Sequence, residues 1–152
     1  MTVADSANGA ALLRRWFEGV WNERREDLME EISAPDVVVH GSSGPKDVFH
    51  GLEVFREMYR KLRRAFPDIH FTVEEAIGEG DVAAVRWTAR MTHAGDDLGF
   101  PATQKRLEIG GMTFARFKDG KAVEAWDNWD MLGLMNAIGQ SPHTTVIPME
   151  KI

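Results

Sequence analysis

The segment KRLEIGGMTFARFKDGKAVEAWDNWD, residues 105–130, decides the fold because it holds two strand patterns joined by a tight turn. Apolar and polar residues alternate with a period of two on both sides of the KDGK sequence at residues 118–121. Such alternation is typical of half-buried strands, and Asp-Gly between two such runs is a strong hairpin signal. The segment therefore predicts an antiparallel pair of long strands.

Two more strands are predicted immediately before this hairpin, at residues 69–80 and 81–95. Earlier in the chain the apolar residues instead recur at helical spacing, over residues 11–22 and 51–66. Helices followed by long antiparallel strands indicate an α+β fold rather than an alternating α/β fold. A strongly curved sheet can wrap around such helices, and a pocket is expected in the space between them.

Shorter elements complete the predicted domain. They are a second helix at residues 25–32 ended by Pro35, a strand at 36–41, a loop at 41–51 and a terminal helix at 131–140. We expect one domain over residues 1–152, with tails at residues 1–8 and 141–152.

The composition restricts the partners. The chain of 152 residues has a formal net charge of −6 and a pI near 5.4, which argues against a nucleic acid or an anionic membrane as partner. The absence of cysteine excludes disulfides, a thiol nucleophile and cysteine-based metal sites. The sequence has no signal-peptide pattern, no apolar run of about 20 residues, and no pair of histidines at metal-ligand spacing on a helix. We therefore expect a cytoplasmic protein without a bound metal.

Alternation also predicts which side chains of the last three strands face the helices. The inward set is Val85, Trp87, Ala89, Met91 and His93, then Leu107, Ile109, Gly111, Thr113, Ala115 and Phe117, then Val123, Ala125, Asp127 and Trp129. Asp127 is the acid in that set. Asp130 belongs to the opposite face, where it either points outward or caps the helix that follows.

An inward carboxyl has a chemical consequence. A carboxylate on an apolar wall is costly unless it is paired, and desolvation raises its pKa towards the range useful for proton transfer. Asp127 is therefore predicted to be a catalytic acid and base. Two other interpretations stay open: a strand twist or bulge that exposes Asp127, or a structural hydrogen bond to a backbone amide.

Four short motifs carry a family resemblance. They are H-x-G-x-x-x-G-x-P-x-T at residues 93–103, R-F-x-D-G-K at 116–121, E-x-W-D at 124–127 and an ending near Ile138 and Gly139. Together they resemble the SnoaL-like polyketide cyclases of the NTF2-like superfamily, and a looser likeness extends over nearly the whole chain. The resemblance implies a cone-shaped α+β fold with an internal pocket.

The resemblance also implies homodimers formed through the outer face of the sheet. Met112, Phe114 and Trp126, which alternation places on that face, are consistent with such an interface.

The resemblance further implies a mechanism. In the family's characterised cyclases one aspartate on the last strand acts as general acid and base for an intramolecular aldol ring closure, without a metal or cofactor. With the DGK turn in register, that aspartate corresponds to Asp127. The same register places two pocket histidines of the family at Thr113 and Ala125, so the polar neighbours of the acid differ in this chain.

Apolar contacts to a substrate are expected from four residues. Trp87, Met91 and Trp129 offer surfaces suited to a ring system. Phe17 belongs to the aromatic stripe of the first helix, part of which becomes pocket wall in a cone-shaped fold.

Polar contacts are expected from three further residues. Thr113 is the best hydroxyl near Asp127, and Tyr59 is the only phenol that could polarise a carbonyl. His40, at the end of the short predicted strand, could point into the pocket mouth. His93 could line the pocket or merely close a turn.

Three classes of function follow. The first is a cofactor-independent cyclase or isomerase that moves a proton next to a carbonyl of a hydrophobic small molecule. The second is an epoxide-hydrolase-type enzyme, which would need two acids flanking an arginine. The third is a non-catalytic small-molecule-binding or dimerisation module. A cavity around Asp127 would favour the enzyme, whereas a collapsed interior would favour the module.

Overall fold

The computed structural model describes residues 3–42 and 44–139, with side chains from Asn8 onward. The helices are α1 (Val3–Arg15), which continues as a π-helical segment (Trp16–Asn22), α2 (Leu28–Ile32), α3 (Leu52–Ala65) and α4 (Met131–Ala137). The strands are β1 (Ser33–His40), β2 (Val48–His50), β3 (His70–Glu79), β4 (Val82–Thr92), β5 (Arg106–Lys118) and β6 (Lys121–Trp129). The predicted tail at residues 141–152 lies outside the described part of the chain.

The six strands form one curved, open sheet in the order β2-β1-β6-β5-β4-β3. α1 and the π-helical segment pack against β3, and α1 also contacts β4, while α3 packs against β1 and β2. The expected α+β architecture, with N-terminal helices held against a curved sheet, is confirmed.

The predicted hairpin is also confirmed. Lys118 pairs with Lys121 across the turn between β5 and β6. The two central residues, Asp119 and Gly120, have φ angles of 54° and 78°, which is the positive pair that a type I′ turn requires. This turn sets the register that places Thr113 opposite Asp127.

The predicted faces hold along β4 and β5, where burial alternates residue by residue. The start of β6 departs from the prediction, because the register shifts between Arg116 and Phe117. Ala122, and not the predicted Val123, joins the buried core as a result. An extra residue on one strand of a pair changes which side chains face inward up to that point.

The first third of the chain differs from the prediction in three elements. α1 begins at Val3, so residues 3–8, predicted to be a tail, belong to a helix. Pro35 does not end α2 but lies within β1, in keeping with the extended backbone that proline imposes on the residue before it. β2 lies inside the segment predicted to be a loop.

The sheet is not wholly antiparallel, which corrects the prediction. β1 runs parallel to β6, with Val39 opposite Ala125 and His40 opposite Trp126. A parallel pair needs a long connection, and here most of the domain lies between the two strands. No local sequence pattern encodes a pairing of this kind.

None of the helices in the described part of the chain combines the length and the apolar character needed to cross a membrane.

Candidate active site

Asp127 lies on β6 directly opposite Thr113 on β5. The Thr113 hydroxyl donates a hydrogen bond to Asp127, with 2.7 Å between Oγ1 and Oδ1. The carboxyl faces the space between the sheet and the helices, so the inward orientation predicted by alternation is confirmed.

Two small cavities meet at Asp127. The first, of about 70 Å³, lies under the aromatic side chains of the π-helical segment and α3; the second, of about 40 Å³, lies next to β1 and α2. Trp16, Phe55 and Asp127 line both cavities. Among the described residues, Asp127 is the single charged side chain in either wall.

The environment changes the acidity of Asp127. Burial among apolar side chains raises the pKa of its carboxyl from 3.8 to about 6, and the hydrogen bond from Thr113 opposes that rise only in part. No cation in the described walls offsets the desolvation. The carboxyl can therefore gain or lose a proton close to neutral pH.

Thr113 is itself held by Trp87 on the neighbouring strand. The indole N–H of Trp87 donates to Thr113 Oγ1 at 3.1 Å. Gly111, paired with Trp87 across β4 and β5, leaves the room for this contact, since a Cβ at Gly111 would lie 2.4 Å from the indole ring. Glycine in a strand interior often marks such a close approach.

Ser42 holds the backbone of β6 around the acid. Its hydroxyl donates to the carbonyl oxygen of Asp127 at 2.9 Å and accepts from the backbone N–H of Trp129 at 3.1 Å. These bonds continue the contact between the two chain segments after the regular pairing of His40 with Trp126. The Ser42 side chain thus provides hydrogen bonds to β6 beyond the point where the pairing of β1 with β6 ends.

The structure brings together most of the residues predicted to bind a substrate. Phe17, Trp87, Met91 and Trp129 line the first cavity with Asp127, and Thr113 lines the second.

Tyr59 does not line either cavity, contrary to the prediction of a substrate contact. Its hydroxyl is buried and donates to the carbonyl oxygen of Val20 at 2.8 Å, and Arg63 donates to the next carbonyl, of Trp21. The last carbonyls of a helical segment lack partners within it, and α3 supplies them here. Burial raises the pKa of Tyr59, so its phenol stays protonated.

His40 also lies away from the two cavities, contrary to its predicted place at the pocket mouth. Its Nε2 is 2.7 Å from Glu124 Oε2, and its ring stacks on Trp126. Because Val37 and Val39 take the buried positions of β1, alternation turns His40 to the outer face of the sheet.

His93 is buried without lining either cavity. Its Nδ1 accepts from the backbone N–H of Thr103 at 3.2 Å, and its backbone bonds to Lys105 and Gln104. Its role within the described structure is therefore to close the loop over residues 94–103.

Asp130 caps α4, as one of its two predicted roles required. Its carboxylate accepts the backbone N–H of Gly133 at 2.8 Å.

Sequence reasoning missed four residues of this site. Trp16 and Phe55 lie in the segments with helical apolar spacing, at residues 11–22 and 51–66, and that spacing was their available signal. Gly111 was assigned to the inward face without a role, and an inward glycine on a strand was its available signal. Ser42 had no signal, because its contacts depend on how the loop folds back on β6.

Two other kinds of site find no support in the described residues. No three histidine, aspartate or glutamate side chains there converge as metal ligands. No arginine lines either cavity, so the arrangement of two acids around an arginine expected for an epoxide-hydrolase-type enzyme is not formed there.

The fold and the site define the class of protein: a small α+β domain with an apolar interior into which one acid projects. The family model for SnoaL-like polyketide cyclases matches residues 11–138, and the chain belongs to this family.

Solved structures share this fold. A presumed SnoaL-like polyketide cyclase from Jannaschia sp. CCS1 superimposes with a TM-score of 0.83 at 22% identity, over 93% of this chain and 99% of that one. AclR from Streptomyces galilaeus, a presumed hydroxylase, superimposes with a TM-score of 0.78 at 27% identity, over 90% of this chain and 99% of AclR. IdmH from Streptomyces antibioticus, a presumed polyketide cyclase, superimposes with a TM-score of 0.73 at 26% identity, over 86% of this chain and 98% of IdmH.

One curated protein matches a segment of the chain. The DNA mismatch repair protein MutL from Rhodopseudomonas palustris (strain BisB5) is 36% identical over an alignment of 95 residues, and the match covers 58% of this chain and 14% of MutL. The match thus spans about one seventh of MutL's length.

Proposed function

We propose that this protein is a cofactor-independent cyclase or isomerase in which Asp127 transfers a proton at carbon next to a carbonyl. The observation that carries the proposal is a lone carboxyl in an apolar interior, with its pKa raised to about 6 by burial. A base with a pKa near the working pH combines an available ionised form with sufficient strength. Family membership supports the same chemistry.

The proposed reaction balances without an external reagent. The Asp127 carboxylate removes a proton from the α-carbon, and an enolate forms. In ring closure the α-carbon then bonds to a second carbonyl carbon of the same molecule, and Asp127 returns the proton to the new alkoxide. In isomerisation the proton returns to a different carbon. Both routes leave the oxidation level of the molecule unchanged.

The enolate oxygen needs a donor, and the expected donors are already engaged. The Thr113 hydroxyl donates to Asp127, the Tyr59 hydroxyl to Val20, and His40 pairs with Glu124. The remaining N–H donors in the first cavity wall are the indoles of Trp16, Trp21 and Trp129, none of which donates a hydrogen bond to another described residue. We assign the donor role to this group of indoles.

The walls also restrict the substrate class. Neither cavity is lined by a lysine, arginine or histidine within the described chain, so an anionic group would lose hydration without gaining a partner. The proposed substrate is a neutral, mostly apolar ketone or ester. With about 70 Å³ beside the acid, a fused-ring substrate enters only if the wall side chains move.

The test is exchange of α-hydrogens for deuterium. Neutral ketones with one to four fused rings are incubated in D₂O with the wild-type protein, Asp127→Asn and Asp130→Asn. Exchange above the solvent rate is expected with the wild type and with Asp130→Asn, because asparagine keeps the capping oxygen of residue 130. Wild-type exchange that survives Asp127→Asn would refute the assignment.

A non-catalytic binding module is the second candidate function. The small volume of the cavities and the replacement of the family's two histidines by Thr113 and Ala125 favour it. The same experiment separates the two: the module would bind a ketone, detected by native mass spectrometry, without accelerating exchange.

We further propose that two copies associate through the outer face of the sheet. Met112 and Phe114 are 60% and 40% exposed there, and Phe114 packs edge-on against Trp126. An exposed apolar patch on a sheet is suited to a symmetric interface. Sedimentation should give a dimer for the wild type and a monomer for Phe114→Glu; a wild-type monomer would contradict this.

A further inference from the structure

Three side chains on three adjacent strands form a hydrogen-bonded line that ends at the acid. The Trp87 indole on β4 is 3.1 Å from the Thr113 hydroxyl on β5, which is 2.7 Å from the Asp127 carboxyl on β6. Trp87 and Thr113 are 5% and 4% exposed, so water does not compete freely for these bonds.

The direction of each bond follows from the groups themselves. An indole N–H only donates, so the Thr113 oxygen accepts from Trp87. A hydroxyl has a single proton to donate, and the proton of Thr113 is therefore directed to Asp127 Oδ1. The contact with Trp87 in this way restricts the rotation of a hydroxyl that could otherwise point elsewhere.

The two oxygens of Asp127 consequently differ. Oδ1 accepts from Thr113. Oδ2 has no hydrogen-bond partner within the described chain. It is not fully buried, so it remains open to the space that Asp127 lines. The oxygen without a donor is the more basic of the two and is the one that takes up a proton.

We propose that Trp87 is a positioning residue for Asp127: acting through Thr113, it orients the carboxyl and reserves Oδ2 for proton exchange with a bound molecule. This inference rests on the proposed acid and base role of Asp127, and it adds which oxygen acts and what holds that oxygen in place. Trp87 acts on the acid through its N–H group, in addition to forming cavity wall.

Gly111 supports this interpretation from the other side of the indole. A Cβ at Gly111 would lie 2.4 Å and 2.5 Å from the Trp87 atoms Cζ2 and Cη2. At the adjacent Gly110, the nearest atom to an added Cβ is the Trp87 carbonyl oxygen at 3.9 Å. The strand thus leaves room for the indole at the position where the indole reaches Thr113.

The test follows the protonation of Asp127 directly, by ¹³C NMR of the labelled aspartate carboxyl across pH 4 to 8. The hydrogen bond from Thr113 lowers the pKa of Asp127, so Thr113→Val should move the midpoint upward from about 6. Trp87→Phe keeps an aromatic wall without the N–H and should give a smaller upward shift. Trp21→Phe, which changes another cavity tryptophan outside the line, should leave the midpoint unchanged.

The double variant separates positioning from packing. If Trp87 acts through Thr113, Trp87→Phe should add no shift once Thr113 is valine. An equal shift of the midpoint in both backgrounds, or no shift in either, would overturn the proposal.

A second measurement needs no variant to fold. The indole ¹H–¹⁵N signal of wild-type Trp87 should move with the same midpoint as the Asp127 carboxyl, whereas the signal of Trp21 should not. A Trp87 signal that stays still while Asp127 titrates would also overturn the proposal. Neither titration measurement depends on turnover. If only the catalytic proposal is wrong, the titrations of Asp127 and Trp87 should still behave as described. If only the positioning role is wrong, Asp127→Asn should still lose deuterium exchange.

Discussion

Thr113 and Asp127 are cross-strand partners on β5 and β6, and the threonine hydroxyl donates to the carboxyl at 2.7 Å. In the register implied by family resemblance, Thr113 stands where a histidine of the characterised cyclases stands. Thr113 thus supplies a hydrogen bond to the acid without contributing a second titratable group. Among the described residues that line the two cavities, Asp127 is the only one with a titratable side chain.

The stability of the protein should depend on pH through Asp127. Its folded-state pKa is raised from 3.8 to about 6, so the folded state binds the proton more tightly than the unfolded state. The stabilisation is present below about pH 4 and is lost as pH rises through 6, by an amount on the order of 3 kcal/mol.

Urea denaturation of the wild type and Asp127→Asn measures this loss. The variant should gain stability relative to the wild type between pH 4 and pH 7, because it has no charge to bury. A free-energy difference between the two proteins that stays constant over this range would show that Asp127 is not desolvated in the folded state.

The exchange activity should rise with pH and level off above pH 6, since only the ionised carboxyl removes a proton. At pH 7 the Asp127→Asn variant should be slower by a factor on the order of 10² to 10⁴. Initial rates of deuterium incorporation from pH 4.5 to 8 give the profile. A profile that Asp127→Asn reproduces at the same height would exclude Asp127 as the base.

Tyr59→Phe should destabilise the fold without altering the acid. The change removes the donor to the carbonyl of Val20, and a buried acceptor left alone costs about 1–3 kcal/mol. The free energy of unfolding should fall by that amount, while the Asp127 titration midpoint stays in place. If Tyr59→Phe shifted the titration midpoint of Asp127 or weakened ketone binding, Tyr59 would belong to the binding site after all.

Gly111→Ala should disturb both the fold and the acid. The new Cβ meets the Trp87 indole at 2.4 Å, and overpacking of this kind costs about 1–3 kcal/mol. Displacement of the indole should also raise the Asp127 midpoint.

Two further variants control for a general strand effect. Gly110→Ala, whose nearest contact would be 3.9 Å, should lower stability much less. Trp87→Phe in the Gly111→Ala background should recover part of the lost stability, because phenylalanine lacks the part of the indole that clashes, while the contact of the new Cβ with the Asn128 carbonyl oxygen at 2.9 Å remains. If Gly110→Ala and Gly111→Ala lowered the free energy of unfolding equally, the close approach of Gly111 to Trp87 would not be the cause of the destabilisation.

The amino-acid sequence alone determined the inward faces of β4, β5 and the second half of β6, and the position of the β5–β6 hairpin. Successive side chains of an extended chain point to opposite sides, so the inward orientation of Asp127 is a local property. The Asp-Gly turn is local in the same sense, because its two residues adopt positive φ at little cost. These features needed no knowledge of the neighbouring strands.

Tertiary structure decided the partners of those side chains. The parallel pairing of β1 with β6 gives His40 its partners Glu124 and Trp126, and the Tyr59 hydroxyl is taken by a carbonyl of the π-helical segment 39 residues away. The line from Trp87 through Thr113 to Asp127 requires the registers of three strands at once. Register and packing arise from contacts distant in the chain, so the sequence determines that an acid points inward, and only the assembled sheet determines what that acid can touch.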